Sequence, residues 1–371
     1  MEDELDFALT AELPKQLFEN DKQWITLDMN HTVARIIGRV SARVFLGPEH
    51  CRNEQWLNTT AEYTENLFVT GTILRFIPRL LRPWIAPWIP SYKRLQSNMS
   101  TARSIIDDIL RSRQVDRDEL SCEDDSAFPD MLTWMMRAAQ AKERDVEDIS
   151  QRTLLLSLSS IHTTALTITQ ALYDLCQHPQ YFEPLREEVA RHVEGGRNWT
   201  KETVDKLHKM DSLLRESQRL NPVFLLTFNR ILHSPITLSD GTSLPQGTRL
   251  AVASDALVND ITRVPGASAP DMFSPFRYVD SDDSVSKQHI GKMAFHATTA
   301  QNMAFGYGKY ACPGRFYAAA EIKLVIGHLI TRYDFKFPDG AKRPKNYTVD
   351  TDMYPDLQAS LLMRKRRQHG E

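Results

Sequence analysis

The 371-residue sequence predicts a mainly α protein of the α+β type, with many helices and only small β-sheets. In the first two thirds of the chain, apolar residues recur at three- and four-residue spacing, which is the period of an amphipathic helix. Strand and turn signals come late, from Arg230 onward. The chain shows neither a repeat nor a long low-complexity linker. We therefore expect a single domain over residues 1–371.

Helical periodicity places most of the elements. The four early helices are predicted at Ile25 to Val44, Asn53 to Phe68, Tyr92 to Arg113 and Pro129 to Lys142. A strongly apolar helix follows at Leu154 to Leu172, and a last helix covers Ala318 to Ile330. The dipeptide Asp240-Gly241 predicts the turn of a β-hairpin, and another strand is expected to begin after Gly247. The sheet that results is small.

Charge and cysteine usage exclude several classes of protein. Lys plus Arg number 45 and Asp plus Glu number 48, so the net charge of −3 does not indicate nucleic-acid binding. With 42% hydrophobic and 25% charged residues, the composition is that of a globular and not a disordered protein. The four cysteines Cys51, Cys122, Cys176 and Cys312 are too irregularly spaced for a disulfide framework or a CxxC metal site. This usage suggests a reducing compartment.

The segment Arg75 to Pro90, RFIPRLLRPWIAPWIP, is a candidate for membrane contact. Its four prolines break any long helix, and Trp84 and Trp88 stand among apolar and basic residues. Tryptophan beside basic residues is typical of a segment that dips into a membrane interface. The alternative is a loop packed on the protein's own core. No apolar run reaches the roughly 18 residues of a membrane span, and the acidic start lacks the features of a secretory signal.

The most informative stretch is FGYGKYACPGRF, Phe305 to Phe316, a glycine-rich loop that leads into the last helix. Its glycines allow positive φ or the close approach of a flat ligand to the backbone, and Pro313 suits the first turn of the helix. Cys312 stands at the junction, where the helix's free N–H groups and dipole favour thiolate over thiol. A thiolate is the form that binds a metal or acts as a nucleophile.

Two other interpretations of Cys312 remain open at this point. A lone cysteine is most often a small buried hydrophobe. A cysteine protease would need a histidine close in space, and the chain has 11 histidines, none of which the sequence places beside the thiol. Further motifs must decide among these roles.

The pattern Phe305-x-x-Gly308-x-Tyr310-x-Cys312-x-Gly314 resembles the haem-binding loop of the cytochrome P-450 family. The resemblance implies that Cys312 is the axial thiolate ligand of the iron in haem b, and that the other four residues help to bind the cofactor. The family usually has Arg or His two residues before the cysteine. Tyr310 stands there, and it offers a haem propionate a hydroxyl but no positive charge.

A second motif precedes the loop. The helix LLRESQRL contains Glu216-x-x-Arg219, which resembles the family's ExxR signature, and MFSPFRY supplies Arg277 at the place of its third partner. Glu and Arg three apart lie on one helix face, where such pairs are most often solvated surface decoration. The resemblance implies instead a buried Glu–Arg–Arg network that supports the loop under the haem.

A third motif lies in the apolar helix Leu154 to Leu172, which is interrupted by the polar run SSIHTT, Ser159 to Thr164. Polar groups inside so apolar a helix are costly unless they are used. The run resembles the family's helix on the distal face of the haem, which assigns Thr163 to proton delivery during oxygen activation. His162 stands where the family has an acid, and imidazole suits a proton relay near neutral pH. The alternative is a buried helix whose hydroxyls bond to carbonyls one turn earlier.

Together these motifs are especially similar to fungal members of the family that oxidise terpenoid and other secondary metabolites. The resemblance implies a monooxygenase for an apolar small molecule, which Pro222 to Phe228 would contact. Arg230 is a candidate partner of a haem propionate, or else an exposed strand arginine. No dinucleotide fingerprint is present, so electrons are expected from NADPH through a separate NADPH–cytochrome P-450 reductase. By the same resemblance, the protein is expected on the cytosolic surface of the endoplasmic reticulum membrane.

Other functions remain open on the sequence. One is a haem protein that rearranges its substrate or only binds haem or a ligand, and another is an interaction protein with an incidental cysteine. Compared with the family, 371 residues is short, and the distal helix begins early in the chain. We therefore expect an N-terminally shortened member that lacks the membrane anchor and the first strands and helices.

Overall fold

A computed structural model of the chain describes residues 1–20, 22–113, 130–193, 198–265, 269–279 and 293–366. Within these residues helices dominate, as predicted, and the strands form one three-stranded sheet and three two-stranded pairs. Two compact units are present, one made of residues 1–12 and 34–162, the other of residues 13–33 and 163–371. The single domain over the whole chain remains a prediction.

The described residues form 13 α-helices, which include the predicted ones in their predicted order. They are α1 (Glu2–Glu12), α2 (Gln16–Glu19), α3 (Met29–Phe45), α4 (Glu54–Arg75), α5 (Arg82–Ile85), α6 (Pro90–Ser112), α7 (Met131–Ala138), α8 (Val146–Gln177), α9 (Phe182–His192), α10 (Lys201–Asp205), α11 (His208–Leu220), α12 (Ser254–Val258) and α13 (Arg315–Arg332). Side-chain caps fix three of the starts, because Asn53 accepts a hydrogen bond from the Trp56 N–H, Asp130 from the Thr133 N–H and Thr200 from the Thr203 N–H. Pro129, where one helix was predicted to begin, lies outside the described residues.

Nine strands complete the described chain. They are β1 (Ile25–Asp28), β2 (Leu226–Ile231), β3 (Ile236–Thr237), β4 (Ser243–Leu244), β5 (Arg249–Ala253), β6 (Tyr333–Lys336), β7 (Tyr347–Val349), β8 (Asp352–Tyr354) and β9 (Ser360–Lys365). The three-stranded sheet has the order β1-β9-β6, and β2 pairs with β5. The predicted hairpin is formed by β3 and β4, and Gly241 in its turn has a φ of 86°, which glycine adopts without steric cost.

The helix predicted from Ile25 to Val44 is wrong in its first four residues. Ile25–Asp28 is strand β1, and α3 begins only at Met29. β1 pairs antiparallel with β9, with Ile25 opposite Met363 and Leu27 opposite Leu361. The partner strand lies more than 300 residues away in sequence, so a periodicity window around residue 25 could not register it. Tertiary pairing overrides the local helical pattern here.

In the first unit, the C-terminal half of α4 buries polar side chains and exposes apolar ones. Thr64, Asn66 and Thr70 are buried, whereas Phe68 is 55% and Ile73 is 39% exposed. Two hydrogen bonds to α6 occupy the buried polar side: the Asn66 Nδ2 donates to Asn98 Oδ1 at 3.0 Å, and the Thr70 Oγ1 donates to Ser91 Oγ at 2.8 Å. Apolar side chains of α4 are thereby left on the surface.

The segment Arg75 to Pro90 continues that apolar surface. It contains α5 and a short 3-10 turn, and Trp84 and Trp88 are 78% and 80% exposed. Ala86 and Ile89 are buried, so the packed-loop alternative holds for these two residues but not for the tryptophans. Across the described ranges, the helices are all too short or too polar to cross a membrane.

Candidate functional site

The loop around Cys312 is closed by its own backbone. The Cys312 N–H donates to the Phe305 carbonyl oxygen at 2.7 Å, which folds the loop back on its start. Gly306 and Gly308 have φ angles of 76° and 63°, the left-handed conformation that the sequence predicts for these glycines. A Cβ on Gly306 would come within 3.1 Å of the Tyr310 carbonyl oxygen. Glycine is therefore required at this position both for its φ and for its lack of a side chain.

Cys312 is exposed, so the alternative of a buried, inert cysteine is wrong. The helix α13 begins three residues later, and the Arg315 Nη1 donates to the Cys312 carbonyl oxygen at 2.9 Å. Gly314 has a φ of −82°, so it does not need a left-handed conformation as the other two glycines do. A Cβ at Gly314 would lie 3.9 Å from the Cys312 sulfur. The sulfur thus stands open, just before the positive end of an 18-residue helix.

Phe305 anchors the start of the loop to the interior. Its ring meets Phe295 edge-on, with 5.2 Å between the ring centroids. The backbone N–H of the buried Phe295 donates to Asp211 Oδ2 on α11 at 2.7 Å, and Asp211 pairs with Lys323 on α13 at 2.5 Å. Sequence reasoning missed Asp211 and Lys323. The available signal was the strongly amphipathic α11, in which Asp211 falls on the buried face.

Glu216, Arg219 and Arg277 come together in a buried network. The Arg219 Nε and Nη2 donate to the two carboxylate oxygens of Glu216 at 2.8 and 2.9 Å, and the Arg277 Nε donates to Oε1 at 3.1 Å. The Ser274 N–H also donates to Oε1, at 2.9 Å. Glu216 is fully buried, so the alternative of a solvated surface pair is wrong.

Arg277 ties this network to the segment that precedes it in the chain. Its Nη1 donates to the Pro265 carbonyl oxygen at 3.0 Å, and its Nη2 donates to the carbonyl oxygens of Ala269 and Met272 at 3.1 and 2.9 Å. Charged groups are buried at little cost only when such hydrogen bonds satisfy them. The network therefore fixes the irregular segment that leads toward the cysteine loop.

The structure brings Arg230 and Tyr310 together. The Arg230 guanidinium lies 4.5 Å from the centroid of the Tyr310 ring and 4.2 Å from that of Phe228. The Lys309 ammonium lies 5.4 Å from the same tyrosine ring. Two cations thus stand against Tyr310, and they supply the positive charge that the tyrosine itself lacks. Lys309 is a third residue that sequence reasoning missed.

A β-bulge in β2 orients the side chain of Arg230. The pairing of β2 with β5 shifts its register between Thr227 and Arg230, and Phe228 between them has a φ of 54°. Such a bulge bends a strand and redirects the side chains beyond it. A left-handed backbone is unfavourable for an aromatic residue and persists only where the surroundings enforce it. The stacked Phe228, Arg230 and Tyr310 side chains are part of those surroundings.

The polar run of the distal helix lies near the middle of α8, which is unbroken from Val146 to Gln177. The hydroxyl of Ser159 donates to the Leu155 carbonyl oxygen at 2.8 Å, so the back-bonding alternative holds for this residue. Thr163 is half-buried, and its carbonyl oxygen accepts from the Thr167 hydroxyl at 2.9 Å. The Nε2 of His162 is buried without a hydrogen-bond partner, and burial lowers the pKa of the imidazole.

These residues fit a thiolate-ligated haem. An exposed, soft sulfur stands at a helix N-terminus, two cations lie against Tyr310 two residues earlier in the chain, and the glycines keep the loop clear of side chains. A sulfur donor is suited to haem iron, and the cations are suited to propionates. Arg230, Tyr310 and Cys312 would hold the group.

Fold and site define a haem-thiolate enzyme. The chain belongs to the cytochrome P-450 family, whose model, described as Cytochrome P450, matches residues 8–361. It is therefore a monooxygenase of the class that carries haem and receives electrons from a redox partner.

Curated relatives match nearly the whole chain. An ent-kaurene oxidase of Gibberella fujikuroi is 52% identical over 373 residues, which cover 100% of this chain and 71% of the relative. The cytochrome P-450 monooxygenase AtmP of Aspergillus flavus is 37% identical over 370 residues, covering 98% of this chain and 68% of the relative. These relatives confirm the predicted likeness to fungal monooxygenases of secondary metabolism.

A solved structure supports the fold. A zebra fish cytochrome P-450 in a structure with abiraterone has a TM-score of 0.70 to this chain at 18% identity, covering 99% of this chain and 78% of that one. The likeness confirms the predicted mainly helical fold of this family.

Proposed function

We propose that the chain binds haem b through Cys312 and oxidises an apolar terpenoid-type molecule, with electrons from NADPH supplied by a separate NADPH–cytochrome P-450 reductase. The observation that carries the proposal is the exposed Cys312 sulfur, fixed by the backbone hydrogen bond to Phe305 at the start of α13. When bound, a haem with a thiolate ligand activates dioxygen for attack on unactivated C–H bonds. The protein's part is to hold that group, to position the substrate and to supply protons.

Five residues besides the cysteine are assigned to the cofactor. Arg230 and Tyr310 bind a propionate, one as a cation and the other through its hydroxyl. Gly314 leaves the space beside the sulfur free of a side chain, and Gly308 supplies a left-handed backbone turn of the loop. Phe305 packs against Phe295 and shields one side of the thiolate from water, which tunes its basicity.

Thr163 and His162 are assigned to proton delivery. The Thr163 hydroxyl holds a proton at Oγ1, and His162 exchanges protons with it through water. Because burial holds the pKa of His162 below its ordinary value, the imidazole is neutral at pH 7 and can both accept and donate. Its Nε2 is the buried ring nitrogen that has no protein partner to compete with water.

Thr163→Ala tests this assignment, with Ser159→Ala as the matched control because the Ser159 hydroxyl is engaged within its own helix. The ratio of product formed to NADPH consumed is expected to fall several-fold in Thr163→Ala and to stay unchanged in the control. Equal ratios in the two variants would remove Thr163 from proton delivery.

The substrate is proposed to be apolar and polycyclic. The segment Pro222 to Phe228 leaves Phe224 43% and Leu226 37% exposed, which is apolar surface open to a ligand. One relative is named an ent-kaurene oxidase, so ent-kaurene is the first molecule to try. Tight binding of a small charged acid, and none of ent-kaurene, would contradict the proposal.

The segment Arg75 to Pro90 is proposed to rest on the cytosolic surface of the endoplasmic reticulum membrane. Exposed Trp84 and Trp88 beside arginines suit the headgroup region of a bilayer. The test is flotation with vesicles of phosphatidylcholine and phosphatidylserine. Replacing both tryptophans by Ala is expected to weaken binding at least about tenfold. Trp134→Ala, at another exposed tryptophan that is 44% accessible, is the control and should bind as the wild type does.

The decisive experiment on the function has two stages. First, the reduced protein treated with carbon monoxide should show the thiolate-shifted haem band, and Cys312→Ala should lose it while Cys176→Ala keeps it. Second, the wild type with a reductase and NADPH should convert ent-kaurene or a related terpenoid to oxygenated product. The band without any oxygenated product would support a haem protein that does not monooxygenate. Absence of the band in the wild type would overturn the proposal.

A further inference from the structure

A partly buried polar cluster in the second unit joins three segments that are distant in sequence. Its centre is Arg343, whose Nε donates to Asp174 Oδ1 at 2.7 Å. The Nη2 of the same guanidinium donates to Gln170 Oε1 at 2.7 Å and to Asn221 Oδ1 at 3.0 Å. Gln170 and Asp174 belong to the C-terminal part of α8, and Asn221 ends α11. The planar guanidinium group of Arg343 therefore bridges α8 and the C-terminal end of α11.

The remaining members of the cluster satisfy one another. Asn346 donates through Nδ2 to Asn221 Oδ1 at 2.7 Å and accepts from Gln170 Nε2 at 2.9 Å. The second oxygen of Asp174 accepts from the Ser217 hydroxyl at 2.6 Å and from Asn221 Nδ2 at 3.1 Å. Asp174 and Gln170 are only 5% and 4% exposed. Buried networks of this kind specify one arrangement of the elements that contribute to them.

The cluster lies at the base of the segment proposed to contact substrate. Asn221 directly precedes Pro222 to Phe228, and Asn346 directly precedes the hairpin β7–β8. The segment and the hairpin are joined beyond the cluster by their backbones: the Leu225 N–H donates to the Thr351 carbonyl oxygen at 2.8 Å, and the Met353 N–H donates to the Val223 carbonyl oxygen at 3.0 Å. Whatever fixes Asn221 and Asn346 also fixes this paired unit.

We propose that Arg343 is a positioning residue, which sets the place of the segment Pro222 to Phe228 relative to the C-terminal part of α8 and so determines which apolar ligands fit on the distal side. The inference rests on the proposed function, since it concerns the same substrate site. Arg343 acts through Asn221 and does not touch the substrate.

A guanidinium is needed here for its geometry. It reaches three acceptors on two helices with planar, diverging N–H groups, whereas a lysine ammonium is a single point on a flexible stem. Burial raises the pKa of Asp174, and the charge of Arg343 acts in the opposite direction. Arg343→Lys keeps a cation for Asp174 but removes the fork, so it separates positioning from charge balance.

The test compares two ligands that bind haem iron directly, imidazole and the much larger 1-tritylimidazole, in spectral titrations of the holoenzyme. In Arg343→Lys, the Kd of 1-tritylimidazole is expected to rise about tenfold, because the larger ligand needs the correctly placed segment. The Kd of imidazole is expected to stay within about twofold. Arg364→Lys, at a half-exposed pair with Asp334, is the control and should change neither value. Equal changes for both ligands, or none, would overturn the inference.

Hydrogen exchange supplies a readout that does not depend on haem. Exchange at the amides of Leu225 and Met353 is expected to accelerate in Arg343→Lys and, more mildly, in Asn346→Ala, while the amides of α13 stay protected as in the wild type. Unchanged exchange at Leu225 and Met353 would overturn the inference. If the wild type binds no haem, the proposed function fails, but the exchange result still decides the role of Arg343. If Arg343→Lys does not fold, Asn346→Ala decides.

Discussion

The Glu216 network and the Cys312 loop differ in how far the protein completes them. Every oxygen of the Glu216 carboxylate has a protein donor, and the group is fully buried. The cysteine loop instead leaves its sulfur open and Tyr310 64% exposed. Residues that serve folding are satisfied within the chain, whereas residues that serve binding retain capacity for a ligand. The same contrast predicts opposite responses to substitution.

The largest effect is expected at the open region. Cys312→Ala should abolish the thiolate-shifted haem band completely, because no other atom of the loop can replace the sulfur ligand. The thermal unfolding of the haem-free protein should barely change, since an exposed side chain makes few contacts. Absorbance after reduction and carbon monoxide, with calorimetry of the haem-free protein, checks both halves. A large loss of stability in the haem-free Cys312→Ala variant would contradict the assignment of Cys312 to binding and not to folding.

The next effect is expected at the closed region. Glu216→Gln leaves two buried guanidinium groups without a counter-charge, so the haem-free protein should lose about 3–5 kcal/mol of folding stability. Glu183→Gln is the matched control, because Glu183 is an exposed partner of Arg186 and Arg366, and it should cost less than about 1 kcal/mol. Urea unfolding measures both. Equal losses in the two variants would show that the buried network contributes no more to folding stability than an exposed ion pair does.

A smaller effect, on the rate of haem loss, is expected at Arg230 and Tyr310. Arg230→Met should raise the rate of haem loss about tenfold by removing one charge from a propionate, while folding stability stays nearly the same. Tyr310→Phe removes only the hydroxyl and keeps the aromatic face for Arg230, so its effect should be smaller. Transfer of haem to an acceptor protein gives both rates. Tyr310→Phe losing haem faster than Arg230→Met would reverse the assigned roles.

The smallest effect is expected at His162, whose buried Nε2 has no hydrogen-bond partner in the protein. Its pKa in the folded protein lies below the ordinary value of about 6.5, so the unfolded chain binds a proton first as the pH falls. Stability should therefore decline as the pH drops through about 6.5 and level off below the folded pKa. In His162→Gln this contribution disappears. Tm values of both proteins from pH 7.5 to pH 5 should diverge from each other, and a constant difference would contradict the prediction.

The sequence alone located the long helices α3, α4, α6, α8 and α13 and the three motifs, because each of these signals is local, but it did not predict α1, α2 or α9. It failed where distant segments meet. The pairing of Ile25–Asp28 with β9, the contact of Arg230 with Tyr310, and the tie from Asp211 to Lys323 depend on tertiary neighbours. No window of a few residues contains both partners of such contacts.

The pairing of β1 with β9 also bears on how the protein folds. The two strands are separated by more than 300 residues, so pairing them carries a loop-closure cost that helix formation, whose hydrogen bonds join residues four apart, does not. Contacts of such long range form slowly and depend on the elements between them having folded first. We therefore expect the sheet to be a late step of folding, with Ile25–Asp28 unpaired in earlier intermediates. Refolding followed by pulsed hydrogen exchange would detect it as the last set of amides to gain protection.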